Sequence, residues 1–377
     1  MHPLIELAWL FLALLAGALV YSVLSIVAAF RYLSVPRPSA ASTEPVSVLK
    51  PLAGLDEGLE SNLRTFFEQD YAPFEILFAV REKTDPAVAI VETLQKEFPN
   101  IPSRLLVTGE PPYPNAKVFS LAQMLAAAQN DLVVMSDSDI RVTPDFLHRV
   151  SAEFQEPDLG VATCPYRAVA GRSFWSQLEA TSMNTDFISG ILVARMLEGM
   201  KFAVGPTIVA RRRVIHAIGG FDRLKDYLAE DFVMGKFASE AGYGVTLSSY
   251  VIEHHIGSAK FRQNIDHRLR WARSTRRSRP AGYIGQLFTM PFPLVLLVCA
   301  ARPHWWPVLP AALLLRFLAA YVVSAKVLNA RINWLLLPLE DLIGFVVWIA
   351  GFFGNTITWR AKRFRVLADG KFEVLKP

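Results

Sequence analysis

The chain opens on a long apolar run. Between residues 3 and 30 the single charge is Glu6, and a stretch of that length crosses the hydrocarbon core of a bilayer as one helix. No basic segment precedes it and no small-residue cleavage site follows, so residues 1–31 are expected to be an uncleaved anchor rather than a signal peptide. Arg31, Arg37 and Lys50 come next, and the positive-inside rule places the segment they introduce in the cytoplasm.

From Val46 to about Tyr250 the pattern becomes one of alternation. Short β-rich runs at 46–49, 75–80, 104–107 and 132–136 are separated by helical stretches at 59–68, 87–97 and 119–128. This spacing predicts an α/β domain, residues 44–280, built on a doubly wound and mostly parallel sheet. Within it, residues 186–209 are apolar but carry Arg195, Glu198 and Lys201. A spanning helix there would bury three charges at a cost of several kcal/mol. Either an amphipathic helix at the membrane surface or a core helix of the domain is expected instead.

Beyond Gly285 the chain turns apolar again, with candidate spans at 285–301, 305–323 and 332–359 inside a region covering 284–360. Arg316 and the pair Glu340-Asp341 interrupt these spans, and such charges face protein or a polar cavity rather than lipid. Trp305, Trp306, Trp334 and Trp359 stand near the ends, as interfacial anchors do. One span before the domain and three after it would put a tail at 361–377, and the neighbouring Arg360, Lys362, Arg363 and Arg365, on the far side. The charge rule prefers those cations inside, so one apolar segment is expected to be interfacial or re-entrant.

Composition agrees with membrane spans flanking a globular middle. The chain is 52% hydrophobic, with a mean hydropathy of +0.29, more apolar than an ordinary soluble enzyme. A net charge of +5 from 39 basic and 34 acidic residues does not point to a nucleic-acid partner. Two cysteines, Cys164 and Cys299, make no disulfide framework, which suits a reducing compartment.

In doubly wound sheets ligands bind beyond the strands' carboxyl ends, and three polar motifs stand out, the first of them directly after a predicted strand. Ser136-Asp137-Ser138-Asp139 follows an apolar run directly; two carboxylates one residue apart can hold a divalent cation and leave positions for phosphate oxygens. Glu230-Asp231 opens a predicted helix, where the dipole favours acids in any case; the alternative is a general base for an acceptor hydroxyl. The cluster beginning at His267 and Arg268 includes Arg270-Trp271 and continues through Arg273, Arg276, Arg277 and Arg279. It would meet anionic headgroups, or Arg270 would fork onto a diphosphate. His254 and His255, after another predicted strand, are expected to be structural, with metal ligation as the alternative.

In this order the motifs resemble those of processive and lipid-directed inverting glycosyltransferases, which carry Asp, Asp-x-Asp, Glu-Asp and Gln/Arg-x-x-Arg-Trp in succession. The chain resembles the ceramide glucosyltransferase family, with a GT-A-like domain similar to glycosyltransferase family 2. The resemblance extends through Ser47-Val48-Leu49-Lys50-Pro51-Leu52-Ala53-Gly54, Thr84-Asp85-Pro86-Ala87 and Asn115-Ala116-Lys117. It implies that Asp85 contacts the uridine, that Lys50 and Lys117 lie near the nucleotide, and that Asp137 and Asp139 ligate Mg2+ or Mn2+. It further implies Asp231 as catalytic base with Glu230 shaping its surroundings, and Arg270 and Trp271 closing over the diphosphate and the sugar. A helix N-cap ahead of Pro86 would account for Asp85 equally well.

Two positions depart from the family. His267 stands where Gln or Arg is usual, and a full Asp137-Ser138-Asp139 replaces the common Asp-x-Gly. Bacterial relatives include glycosyltransferases of hopanoid biosynthesis. The expected partners are therefore a UDP-sugar carrying glucose or N-acetylglucosamine, and a sphingolipid or hopanoid acceptor. The expected setting is a bacterial inner membrane with the catalytic domain cytoplasmic. A polysaccharide synthase would share the motifs but need more spans, and a non-catalytic membrane scaffold would have no use for acids at strand ends.

Overall fold

The computed structural model describes residues 3–36, 38, 42–359 and 362–375; Arg37 and Arg360, counted above among the flanking cations, lie outside them. Helix α1 (Pro3–Leu33) leads into β1 (Val46–Pro51), α2 (Leu59–Phe67), β2 (Phe74–Val80), α3 (Ala87–Glu97), β3 (Ser103–Val107), α4 (Ala116–Ala127) and β4 (Leu132–Ser136). These are the predicted elements, within a few residues. α4 begins three residues earlier than expected because Asn115 caps it, its side chain accepting from the Val118 amide.

The middle of the chain adds β5 (Ile140–Arg141), α5 (Phe146–Glu153), β6 (Leu159–Thr163), β7 (Tyr166–Val169), α6 (Phe174–Ser182), α7 (Ile188–Glu198), β8 (Thr207–Arg211) and α8 (Arg212–Ala217). It closes with α9 (Glu230–Glu240), β9 (Gly244–Leu247), β10 (Ile252–His255) and α10 (Phe261–Ser278). Seven strands form the main sheet in the order β3-β2-β1-β4-β8-β6-β9. β3, β2, β1 and β4 are mutually parallel, and β8 runs antiparallel between β4 and β6. The expected α/β, GT-A-like sheet is thus present, parallel on one side and mixed on the other. A second sheet, β5-β10-β7, begins just after the Asp137–Asp139 loop, where the His255 amide donates to the Asp139 carbonyl at 2.8 Å.

The stretch 186–209 is not one helix. α7 ends at Glu198, a loop follows, and Thr207–Arg211 is a central strand. The buried face of α7, with Ile188, Ile191 and Leu192, packs with Ala28, Ala29 and Tyr32 of α1. Arg195 stacks over the Tyr32 ring, so two of the three charges that argued against a span are housed at edges, Glu198 pairing with Arg279.

The apolar end comprises α11 (Pro280–Gly285), α12 (Pro291–Ala301), α13 (Val308–Tyr321) and α14 (Leu337–Gly351). Among the described residues three helices are long and apolar enough to cross a membrane, at Glu6–Leu33, Val308–Val327 and Trp334–Gly351, and the pair Pro280–Thr289 and Pro291–Ala301 is bent by 65°. The bend follows from Pro291 and Pro293, which lack the N–H that would continue the helix; the amide between them, Phe292, donates to Asp341 at 3.3 Å. α1 and the α12–α13 corner meet where Trp9 packs on Trp305. α14 starts beside Arg316, half-way along α13, and ends against Tyr283 and Ala272, where a Cβ on Gly351 would collide with both.

The chain then returns to the α/β domain, and residues 362–375 of the expected tail at 361–377 are not free. β11 (Thr356–Trp359), β12 (Lys362–Val366) and β13 (Phe372–Val374) form an antiparallel sheet, held by Phe372 donating to the Asp226 carbonyl at 2.9 Å and Leu228 donating to that of Gly370 at 3.2 Å.

Inside the apolar end, Arg316 donates to Asp341 at 2.7 Å and to Asp186 at 2.6 Å. Asp186 sits in a π-helical turn, Met183–Phe187, between α6 and α7. The pair Glu340–Arg268 is equally enclosed. A buried charge is tolerable when paired and severely destabilising when its partner is removed. Arg316→Met should therefore lower stability by about 3–5 kcal/mol, seen as a large drop in the thermal midpoint of the detergent-solubilised protein; an unchanged midpoint would show that the ion pairs do not hold these helices together.

Candidate active site

A single cavity of about 1960 Å³ joins the two halves of the molecule. Asp85 and Pro111 line it at the strand ends, Tyr21, Gly190, Phe288 and Trp348 among the apolar helices, and Asp137, Asp139, Asp231 and Trp271 within the catalytic domain. Small-molecule pockets commonly occupy about 300–1,000 Å³, so this one has room for two substrates.

The loop after β4 is fixed from three sides. Ser138 donates to Asp56 at 2.6 Å, the Asn62 amide donates to the Ser138 carbonyl at 3.2 Å, and the Asp137 amide donates to the Pro206 carbonyl at 2.9 Å. Lys50 lies beneath, fully buried, with its ammonium on the Asp137 carbonyl and 3.8 Å from the centre of the Phe66 ring. Burial pulls its pKa down to about 7. Lys50 is absent from the cavity wall, so it supports the loop from below rather than reaching a ligand.

Lys117 does reach in. It projects from the first turn of α4 and bridges Asp137 at 2.7 Å and Glu230 at 3.2 Å. Burial opposes its charge, but the two carboxylates hold its pKa above the ordinary lysine value. Asn115 donates to Glu230 at 3.3 Å and to the Tyr227 carbonyl at 2.9 Å, so the start of α4 sets the start of α9. Next to Glu230, burial and the neighbouring charge push the Asp231 carboxyl up to about 6. That value suits a base working near neutrality.

Asp139 meets His254 at 3.0 Å through one oxygen, while its other oxygen is buried with no hydrogen-bond partner. Burial works against a charged imidazole, yet Asp139 raises the His254 pKa. Among the described residues no set of three or more His, Cys, Asp or Glu side chains forms a metal cage. The free oxygen of Asp139 and the nearby Asp137 carboxylate are what fit a divalent cation, with substrate oxygens completing its shell.

Asp85 accepts from the Gly54 amide at 3.0 Å and from Ala87 at 2.9 Å, so it anchors the β1–α2 loop and caps α3 while still lining the cavity. On α10, His267 pairs with Glu179, which also accepts from Asn264 at 2.7 Å. Trp271 packs between His267, at 4.9 Å, and Phe187 of the π-helical turn, at 5.4 Å. Arg270 lies over Trp359 with 5.6 Å between guanidinium and ring. The later arginines, expected at lipid headgroups, serve the fold: Arg273 donates to the Phe353 carbonyl, Arg276 to that of Gly354, and Arg279 to Glu198.

A model of glycosyl transferase family 21 matches residues 10–372. The chain belongs to this family. Among curated relatives, Ceramide glucosyltransferase 1 of Caenorhabditis elegans is 31% identical over 207 residues, 54% of this chain and 44% of that protein. The match thus spans less than half of that relative's length. Ceramide glucosyltransferase 3 of the same organism is 23% identical over 353 residues, 89% of this chain and 75% of the other. A solved structure of a mannosyltransferase from Pyrobaculum calidifontis, in complex with GDP-Man and Mn2+, shares the fold at a TM-score of 0.56 and 20% identity, covering 91% of this chain and 99% of that one. Family 21 membership relates the chain to the ceramide glucosyltransferases, as the motif order implied.

Gly205, Glu179 and Asp56 carry no motif signal and were not singled out in the sequence. Gly205 matters by what it lacks, because a Cβ there would stand 3.0 Å from the Asp231 carboxylate. Gly205→Val, whose larger side chain the Asp231 carboxylate must move to admit, should lower sugar-transfer kcat by about tenfold or more in a radiolabel transfer assay; wild-type kcat in the variant would show that the placing of this carboxylate does not limit transfer.

Proposed function

We propose that this chain transfers a hexose, glucose or N-acetylglucosamine, from a UDP-sugar to the hydroxyl of a membrane lipid of the sphingolipid or hopanoid class, with inversion at the anomeric carbon. The observation that carries the proposal is the continuity of the cavity. Asp231 faces a space that opens on one side to Asp85, Lys117 and the Asp137–Asp139 loop, and on the other to Tyr21, Phe288 and Trp348 among the apolar helices. A water-soluble donor and a lipid acceptor can therefore meet without either leaving its own phase.

In the proposed step Asp231 takes the proton of the acceptor hydroxyl. The oxygen attacks the anomeric carbon as the bond to the diphosphate breaks, and UDP leaves with the electron pair. Lys117 holds Asp137 and Glu230 in place and adds positive charge beside the leaving group. Arg270 and Trp271 bound the same space. Asp137 and the unpartnered oxygen of Asp139 would hold Mg2+ or Mn2+, which supplies charge neutralisation for the departing diphosphate when bound. The lipid enters between α1, α7 and the Pro280–Thr289 segment, and Arg31 favours a cytoplasmic position for the catalytic domain.

Two outcomes test the assignment of the base. Asp231→Asn should abolish transfer while UDP still binds, measured by radiolabel incorporation alongside calorimetric titration; full transfer in this variant would contradict the mechanism. The base must be ionised to act and its pKa is raised, so kcat/KM should be maximal above about pH 6 and fall tenfold per unit below it. A profile flat to pH 4.5 would place the base elsewhere.

A further inference from the structure

The C-terminal sheet is tied to the segment before Glu230 and to α10. Its backbone is bonded to Asp226 and Leu228, immediately before Glu230 and Asp231, and Tyr227 forms a β-bridge with Lys371. Its apolar side, Ile357, Phe364, Val366 and Phe372, packs with Leu228 and Trp359 as one small core. Its root is fixed by Arg273 and Arg276 of α10, which donate to the carbonyls of Phe353 and Gly354. A sheet attached this way cannot drift from the catalytic segment without breaking both sets of bonds.

Trp359 and Lys362 then line the cavity itself. The electrostatic requirement there is plain. Asp85, Asp137, Asp139, Glu230 and Asp231 all face a space proposed to receive a diphosphate, so additional cations are needed. Most cations on the wall are engaged with acids: Lys117 with Asp137 and Glu230, Arg268 with Glu340, Arg279 with Glu198, Arg81 with Glu110. Lys362 makes no ion pair among the described residues, and its side chain is exposed to the cavity. Trp359 offers its face to the Arg270 guanidinium, a contact that orients the side chain.

Resting on the nucleotide-sugar assignment above, we propose that the C-terminal sheet completes the donor site: Lys362 binds the diphosphate directly, and Trp359 is a positioning residue for Arg270. The segment beyond α14 is in this sense part of the enzyme's substrate-binding machinery rather than an appendage.

The test uses full-length protein in detergent with Mg2+, titrated separately with UDP and with uridine. Relative to wild type, Lys362→Met should weaken UDP binding by roughly tenfold or more, the scale of one charge-assisted contact, and leave uridine binding unchanged. Trp359→Leu should weaken UDP to a similar extent, and Trp359→Phe should restore it to within about threefold because the aromatic face remains. Glu373→Gln, on the outer strand of the same sheet, should behave as wild type. UDP affinity within twofold of wild type in Lys362→Met overturns the proposal, and so does equal loss of UDP and uridine, which would report damage to the fold. Wild-type protein that binds no UDP would instead overturn the donor assignment itself; the ratio of variant to wild type tests the role of the sheet.

Discussion

Carboxylates gathered in one enclosed space repel each other, and the site exists because cations are threaded among them. Lys117 is the central one. Standing between Asp137 at 2.7 Å and Glu230 at 3.2 Å, it ties the loop after β4 to the start of α9, two segments that the chain separates by about ninety residues. Around this bridge, burial and the neighbouring charge push the Asp231 carboxyl up to about 6. Lys50 performs the same service from underneath, through the Asp137 carbonyl, and His254 from the side, through Asp139. The chemistry and the local fold are thus one electrostatic arrangement.

A second arrangement of the same kind lies in the apolar end, where Arg316 sits between Asp186 and Asp341 and Arg268 meets Glu340. It reaches the site through geometry rather than charge. Asp186 and Phe187 belong to one π-helical turn, a device that recurs at functional sites. One residue faces Arg316 and the next packs on Trp271. The apolar helices and the wall of the cavity therefore share a structural element, as the proposed meeting of a nucleotide sugar with a lipid requires.

Much of this was legible in the sequence where local periodicity decides structure. β1 to β4 and α2 to α4 lie where alternation placed them, because each buries a regular face. Asp137, Asp139, Glu230, Asp231 and Trp271, each within a motif visible in the sequence, line one cavity. Other features depend on distant partners and leave no local trace. Strands of two to four residues, β5, β7 and β10, are defined only by their pairing. Lys50 reads as a ligand contact from its neighbours in the sequence, yet it faces the underside of the loop. Gly205 and Glu179 gain meaning only opposite Asp231 and His267. The basic sequence after Trp359 reads as a solvated tail because alternating Lys and Arg mask a strand whose inner positions, Phe364 and Val366, are buried. The charge rule, applied to three apolar segments after the domain, asked for one that is interfacial or re-entrant, and the pair Pro280–Thr289 and Pro291–Ala301 is the one bent, by 65°.

The central claim is that one cavity brings a nucleotide sugar to a lipid hydroxyl. Purified protein in lipid-containing micelles, given radiolabelled UDP-glucose or UDP-N-acetylglucosamine with Mg2+, tests it directly. The account predicts label in the organic phase as a single glycolipid bearing one sugar, with the anomeric configuration inverted from that of the donor. Label recovered as polymer, as retained-configuration product, or only as free sugar in water would contradict it.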